Sequence, residues 1–181
     1  SGVDCNVLVG NHDQISSAQG DHALGPLDNY SLITVVDEPR TQIFGDGTGL
    51  WFVPFQAGNA KEWLPEVLEA RKSSMQLATC EIKQNVLCLH MGIYDDKTPP
   101  WLQDSPGAIH IDQLRELCTK YSIDTVFAGD WHQRKIFNGG NIVQVGTLCP
   151  AGFDDAGLFG YGTLAVYDSV SGETEYEIIP G

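Results

Sequence analysis

The strongest constraint on this fold is a pattern that occurs three times: a short apolar, β-branched run that stops abruptly at polar residues. Cys5–Val9 stops at Gly10-Asn11-His12-Asp13, Val86–His90 stops on its own histidine, and Thr125–Ala128 stops at Gly129-Asp130-Trp131-His132. Runs this short and apolar fit buried strands of a largely parallel sheet. Strand ends in such a sheet share one edge, so residues distant in sequence converge there.

The rest of the chain supplies the crossovers and the sheet margins. Ile109–Tyr121 places Ile109, Ile111, Leu114, Leu117 and Cys118 at helical spacing, between the second and third runs. Together they read as a βαβ unit. Lys61–Arg71 is a second helix, with Trp63, Leu64, Val67 and Leu68 on one face. Leu32–Val36, Thr41–Phe44 and Leu50–Val53 read as strands. Gly45-Asp46-Gly47-Thr48-Gly49 is a hairpin turn, since the Lys-Ser/Thr of a phosphate-binding P-loop does not follow it. After Trp131 the pattern becomes antiparallel: Lys135–Phe137, Ile142–Val145, Gly162–Tyr167 and Thr174–Ile179, with turn signals at Asn138-Gly139-Gly140 and Ser169–Gly172. The fold class is α/β, with a mixed sheet whose C-terminal part is a meander.

Composition narrows the function classes. The 181 residues suit one domain, and 42% hydrophobic with 19% charged residues is an ordinary globular balance. Ten Lys+Arg stand against 24 Asp+Glu, a formal net charge of -14. So acidic a surface repels nucleic-acid phosphate unless metal ions or a partner compensate. No apolar run approaches the roughly 20 residues of a membrane span. The five cysteines are odd in number and lack C-x-x-C spacing, which reads as reduced thiols in a cytoplasmic protein.

The three polar clusters carry the chemistry. Taken singly, each has a plain explanation: Asn11 and Asp13 are ordinary turn residues, His90 a structural histidine, Asp130 and His132 a turn pair. At three strand ends together they are candidate metal ligands. Imidazole, carboxylate and amide donors without thiolate suit Mn²⁺, Mg²⁺, Fe or Zn²⁺. Two such ions bind a phosphoryl oxygen, generate hydroxide and stabilise an in-line displacement. A further imidazole, oriented by a carboxylate, can protonate the leaving oxygen.

"LVGNHD", "LHMGI" and "GDWH", in this order, resemble the last three motifs of the calcineurin-like metallophosphoesterases, with "GYGTLAVYD" and "EYEIIP" as closing strands. The likeness is closest to the DNA-repair-nuclease branch and phage-encoded relatives, which for a phage protein places it in the host cytoplasm. The resemblance implies an α/β/β/α sandwich with mixed sheets and two divalent ions, Mn²⁺ foremost. It implies that Asn11, His90 and Asp130 bind one ion and that His132 serves the other. His12 contacts phosphate and protonates the leaving group, and Asp13 orients His12. The family usually carries Gly-His-x-His in the third motif. Asp130 replaces the first of those histidines here, which favours harder ions and removes positive charge.

The family's first two motifs, Asp-x-His and Gly-Asp-x-x-Asp at the ends of earlier strands, do not precede "NVLVGNHD". The expectation is that residues 1–181 are the C-terminal portion of one metallophosphoesterase domain. N-terminal strands are missing from this chain, and an N-terminal segment, cleaved or separate, completes the site. The implied activity is a metal-dependent phosphoesterase, a phosphodiesterase or DNA nuclease. The alternatives are a non-catalytic binding or assembly module, and a small-nucleotide phosphodiesterase or protein phosphatase. The partners are a phosphoester, DNA among the candidates, with no membrane; homo-oligomer formation is left open. The loop after His90, with Trp101, and the loop Cys149–Gly157, with Phe153, are candidates to border the site. Arg134 and Lys135 read equally as phosphate contacts or as solvated strand residues.

Overall fold

The computed structural model describes residues 2–16, 21–76, 81–137, 139–148 and 163–178. At its centre, β5 (Gln84–His90) lies between β4 (Thr48–Val53) and β8 (Thr125–Gly129), parallel to both. Val86, Leu87 and Leu89 of β5 are at most 2% exposed, as an apolar run covered on both faces requires. Outside β8 lies β10 (Ile142–Gln144), also parallel. The antiparallel strands β3 (Arg40–Ile43) and β9 (Lys135–Ile136) form the margins. The sheet order is β3-β4-β5-β8-β10-β9.

Helices cover one face. α1 (Ala60–Gln76) follows β4, and α3 (Ile111–Tyr121) precedes β8, so each crosses between parallel neighbours. Leu64 and Leu68 of α1 and Leu114 of α3 are fully buried in one core with Leu87, Leu89 and Val126. Each such side chain contributes about 1.5–3 kcal/mol relative to exposure. Tyr121 ties the helices together, its hydroxyl reaching Pro65 O at 3.2 Å and Glu69 Oε2 at 2.9 Å.

Strand pairs occupy the opposite face. β1 (Cys5–Leu8) and β2 (Ile33–Val36) form a parallel pair. Arg40 stacks on Phe52 of β4 and hydrogen-bonds Asn6 of β1. The hairpin β11 (Thr163–Tyr167) and β12 (Thr174–Ile178) lays Tyr167 edge-on to Phe127, ring centroids 6.0 Å apart. The molecule is thus a mixed α/β protein with several sheets and few helices.

Several expectations are corrected. The helix expected over Ile109–Tyr121 starts at Ile111, because β7 (Ala108–His110) pairs with β6 (Gly92–Tyr94) and His110 caps α3 by accepting Asp112 N–H. The helix expected over Lys61–Arg71 runs on to Gln76, past Pro65. β10 is parallel to β8, so the C-terminal part is not a continuous meander among the described residues. The first apolar run pairs with β2 in a sheet of its own, outside the six-stranded one. The hairpin at Gly45–Gly49 agrees with expectation: Gly47 takes φ +93° and Asp46 Oδ1 accepts Thr48 N–H at 2.9 Å. The loop Cys149–Gly157, Cys80 and Asn138 lie outside the described residues.

Candidate functional site

Two of the three polar clusters are brought to one edge by register alone. β5 and β8 pair with His90 opposite Gly129, so the next residue, Asp130, leaves the sheet beside the His90 ring. The third cluster comes from the other layer. Val9 donates to Val36 O at 3.0 Å and accepts from Phe55 N at 2.8 Å, which fixes the end of β1 over the end of β4. A short 3₁₀ turn, Asn11–Asp13, follows immediately.

The side chains then meet. His90 Nε2 lies 3.1 Å from Asn11 Oδ1 and 3.5 Å from Asp130 Oδ1. The His90 and Asp130 side chains are 21% and 24% exposed, at the rim rather than in the core. Phe55 stands edge-on to the His90 ring, centroids 6.4 Å apart. Asp130 adopts φ +98°, a left-handed conformation that costs a non-glycine residue about 1–3 kcal/mol unless its surroundings hold it.

Glycines make the close approach possible. A Cβ on Gly10 would lie 2.7 Å from His90 Cε1. One on Gly92 would lie 2.4 Å from the Trp131 ring, so β6 offers that indole a bare surface. Gly146, at φ +78°, passes under the third cluster, where a Cβ would lie 2.9 Å from His132 O. Thr147 N–H donates to that same carbonyl at 3.0 Å.

Asn11, His12, Asp13, His90, Asp130, Trp131 and His132 line one cavity of about 260 Å³ together with Gly10, Gly129, Gly146 and Thr147. All six residues expected at a site are therefore in one place. His12 is exposed at its rim. Asp13 Oδ2 accepts Gly10 N–H at 2.7 Å, and Asn11 Oδ1 accepts His12 N–H at 3.0 Å. Asp13 thus closes the turn that carries His12. The loop after His90 contributes nothing to the lining, and Trp101 is 75% exposed on a separate helix, α2 (Pro100–Gln103). Arg134 stacks on Tyr176 and Lys135 pairs with Asp95 at 2.7 Å, so neither lines the cavity.

The donor chemistry fits one divalent ion. Donors bound at 2.0–2.2 Å with octahedral or tetrahedral angles lie about 2.8–3.6 Å from one another. The two separations at His90 Nε2 fall inside that range. Two carboxylates and no Lys or Arg among the lining residues make the cavity attractive to cations. Among the described residues, no group of three or more His, Cys, Asp and Glu side chains is placed to hold an ion; the trio here draws its third donor from the Asn11 amide. Burial pushes the Cys88 thiol up to about 11, so the free thiol stays protonated at neutral pH.

Sequence reasoning missed Gly10, Phe55 and Gln144. The signal for Gln144 was present: one polar residue inside the apolar run Ile142–Val145. Among the described residues no helix is long and apolar enough to cross a membrane. No family model matches the chain, and no curated protein matches it.

Proposed function

We propose that this chain is a metal-dependent phosphoester hydrolase of the calcineurin-like type, acting on a phosphodiester. The observation that carries the reading is the meeting of Asn11 Oδ1, His90 Nε2 and Asp130 Oδ1 at the strand ends, beside an exposed His12. The order of layers supports it as well: helices, the six-stranded sheet, then strand pairs, which is the order of three layers of an α/β/β/α sandwich.

Asn11, His90 and Asp130 would hold the ion, Mn²⁺ or Mg²⁺ by the hardness of two oxygen donors. When bound, that ion would supply positive charge for the phosphoryl oxygens and lower the pKa of a water. His12, at the rim, would pass a proton to the leaving oxygen from its imidazole. Asp13 keeps the turn closed under it. Trp131 and Thr147 also line the cavity. With no Lys or Arg in the lining, a small phosphodiester suits the cavity better than duplex DNA.

The test is Mn²⁺-dependent hydrolysis of bis-p-nitrophenyl phosphate, single-stranded DNA and double-stranded DNA, with His12→Ala and Asp130→Ala alongside. His12→Ala should lower kcat by about 10²–10⁴ while Mn²⁺ uptake persists. Asp130→Ala should lose Mn²⁺ affinity. Equal rates for parent and His12→Ala would sink the catalytic assignment. A second reading, a binding module of the same fold, is favoured because, among the described residues, no group of three or more His, Cys, Asp and Glu side chains is placed to hold an ion. It predicts Mn²⁺ uptake without turnover of any of the three substrates.

A further inference from the structure

β10 is apolar except at Gln144, yet Gln144 is 1% exposed. A primary amide at that depth is costly unless both of its ends are satisfied. Here they are: Oε1 accepts Ile93 N–H at 3.0 Å, and Nε2 donates to Gly129 O at 3.1 Å. One partner demands an acceptor and the other a donor, so the partners themselves fix the amide orientation.

These partners flank the two turns that follow β5 and β8, Ile93 in β6 and Gly129 as the last residue of β8. Ile93 lies three residues past His90, and Gly129 immediately precedes Asp130. Gly129 O also accepts Met91 N–H at 3.2 Å, so the two turns are joined at adjacent points. Asp130, at φ +98°, depends on its surroundings to stay there. We infer that Gln144 is a positioning residue: its side chain spans both turns and sets the separation of His90 from Asp130. This rests on the hydrolase reading only where metal uptake is concerned.

Gln144→Met keeps the volume and removes both hydrogen-bonding ends. In the metal-free protein it should shift the His90 ring signals and the Asp130 amide signal by NMR, at temperatures far below unfolding. With Mn²⁺ added, affinity should fall about tenfold, the size seen when outer-shell partners of ligands are removed. The Asp130 amide shares a peptide group with Gly129 O and moves in either case; a role in stability alone would lower the unfolding midpoint and leave the His90 ring signals and the Mn²⁺ affinity where they were. Unchanged His90 ring signals would overturn the inference. If the parent itself took up no Mn²⁺, the hydrolase reading would fall, and the ring signals would still decide the role of Gln144. Should Gln144→Met fail to fold, Gln144→Asn retains the amide but is one methylene too short for both partners. It is expected to shift the same signals, and the inference is wrong if it does not.

Discussion

Gly10 shows how much of the candidate site depends on what a residue lacks. Its φ of -97° and ψ of 174° are open to any residue, so the backbone does not call for glycine. The His90 ring does, since a Cβ would sit 2.7 Å from Cε1 and 3.0 Å from Nε2. Gly10→Ala is therefore a purely steric probe. The imidazole has to move by several tenths of an ångström, away from Asn11 or from Asp130. The expected result is a loss of about 1–3 kcal/mol in stability from overpacking and at least a tenfold loss of Mn²⁺ affinity. Chemical denaturation and a metal titration measure the two, and parent-like Mn²⁺ affinity would show that the ring is not a ligand. Nothing in "GNHD" announces this: the polar atoms of Asn11, His12 and Asp13 are legible, whereas the emptiness of Gly10 acquires meaning only when β5 arrives beneath it.

Among the elements, the apolar runs were legible as strands because their hydrophobic pattern is local. Their shared edge followed from parallel pairing. Partner choice was not legible, since it depends on tertiary packing. Hence β10 joined β8 in parallel, and β1 paired in a separate sheet. β6 and β7 are three residues each, too short to show a period, so the start of α3 was misplaced. Lys135 lies on a strand as its sequence reads, and its partner is Asp95, just after β6, rather than the cavity. Burial pushes the Asp95 carboxyl up, but hydrogen bonds from Lys135 Nζ at 2.7 Å and Thr98 Oγ1 at 2.9 Å outweigh it and hold the carboxyl below its usual value. A depressed folded-state pKa contributes stability above the unfolded-state value, and that contribution is lost as pH falls through the folded-state value. A double-mutant cycle with Asp95→Asn and Lys135→Met should give a coupling of about 0.5–1 kcal/mol at pH 7, the range of a partly exposed pair. It should vanish in acid, below the ordinary carboxylate range. Coupling that persists there would mean the side chains interact by packing rather than charge.

On the scale of the molecule, the candidate site is a junction between two sheets. Asn11 comes from the layer of β1 and β2, while His90 and Asp130 come from the six-stranded sheet. Bonds that join the layers include Phe55 N–H to Val9 O at 2.8 Å and the Arg40–Asn6 contact. β5 and β8 are flanked on both sides and buried, so their amides should exchange through rare opening. β1, with β2 as its strand partner and half-buried side chains, should open more easily. An ion shared by Asn11, His90 and Asp130, as proposed, would bind the closed arrangement, and at 100 times its dissociation constant would stabilise that state by about 2.7 kcal/mol. Hydrogen exchange should therefore slow on Mn²⁺ addition across residues 5–13 and 33–36, with little change in β5 and β8, which are already protected. His90→Ala should abolish the effect. Protection confined to the turns after His90 and Gly129 would mean that the ion is held by the six-stranded sheet alone and that Asn11 is no ligand. Protection reaching β2 through β1 would make the ion a clasp between layers, with the phosphoester site formed only when it closes.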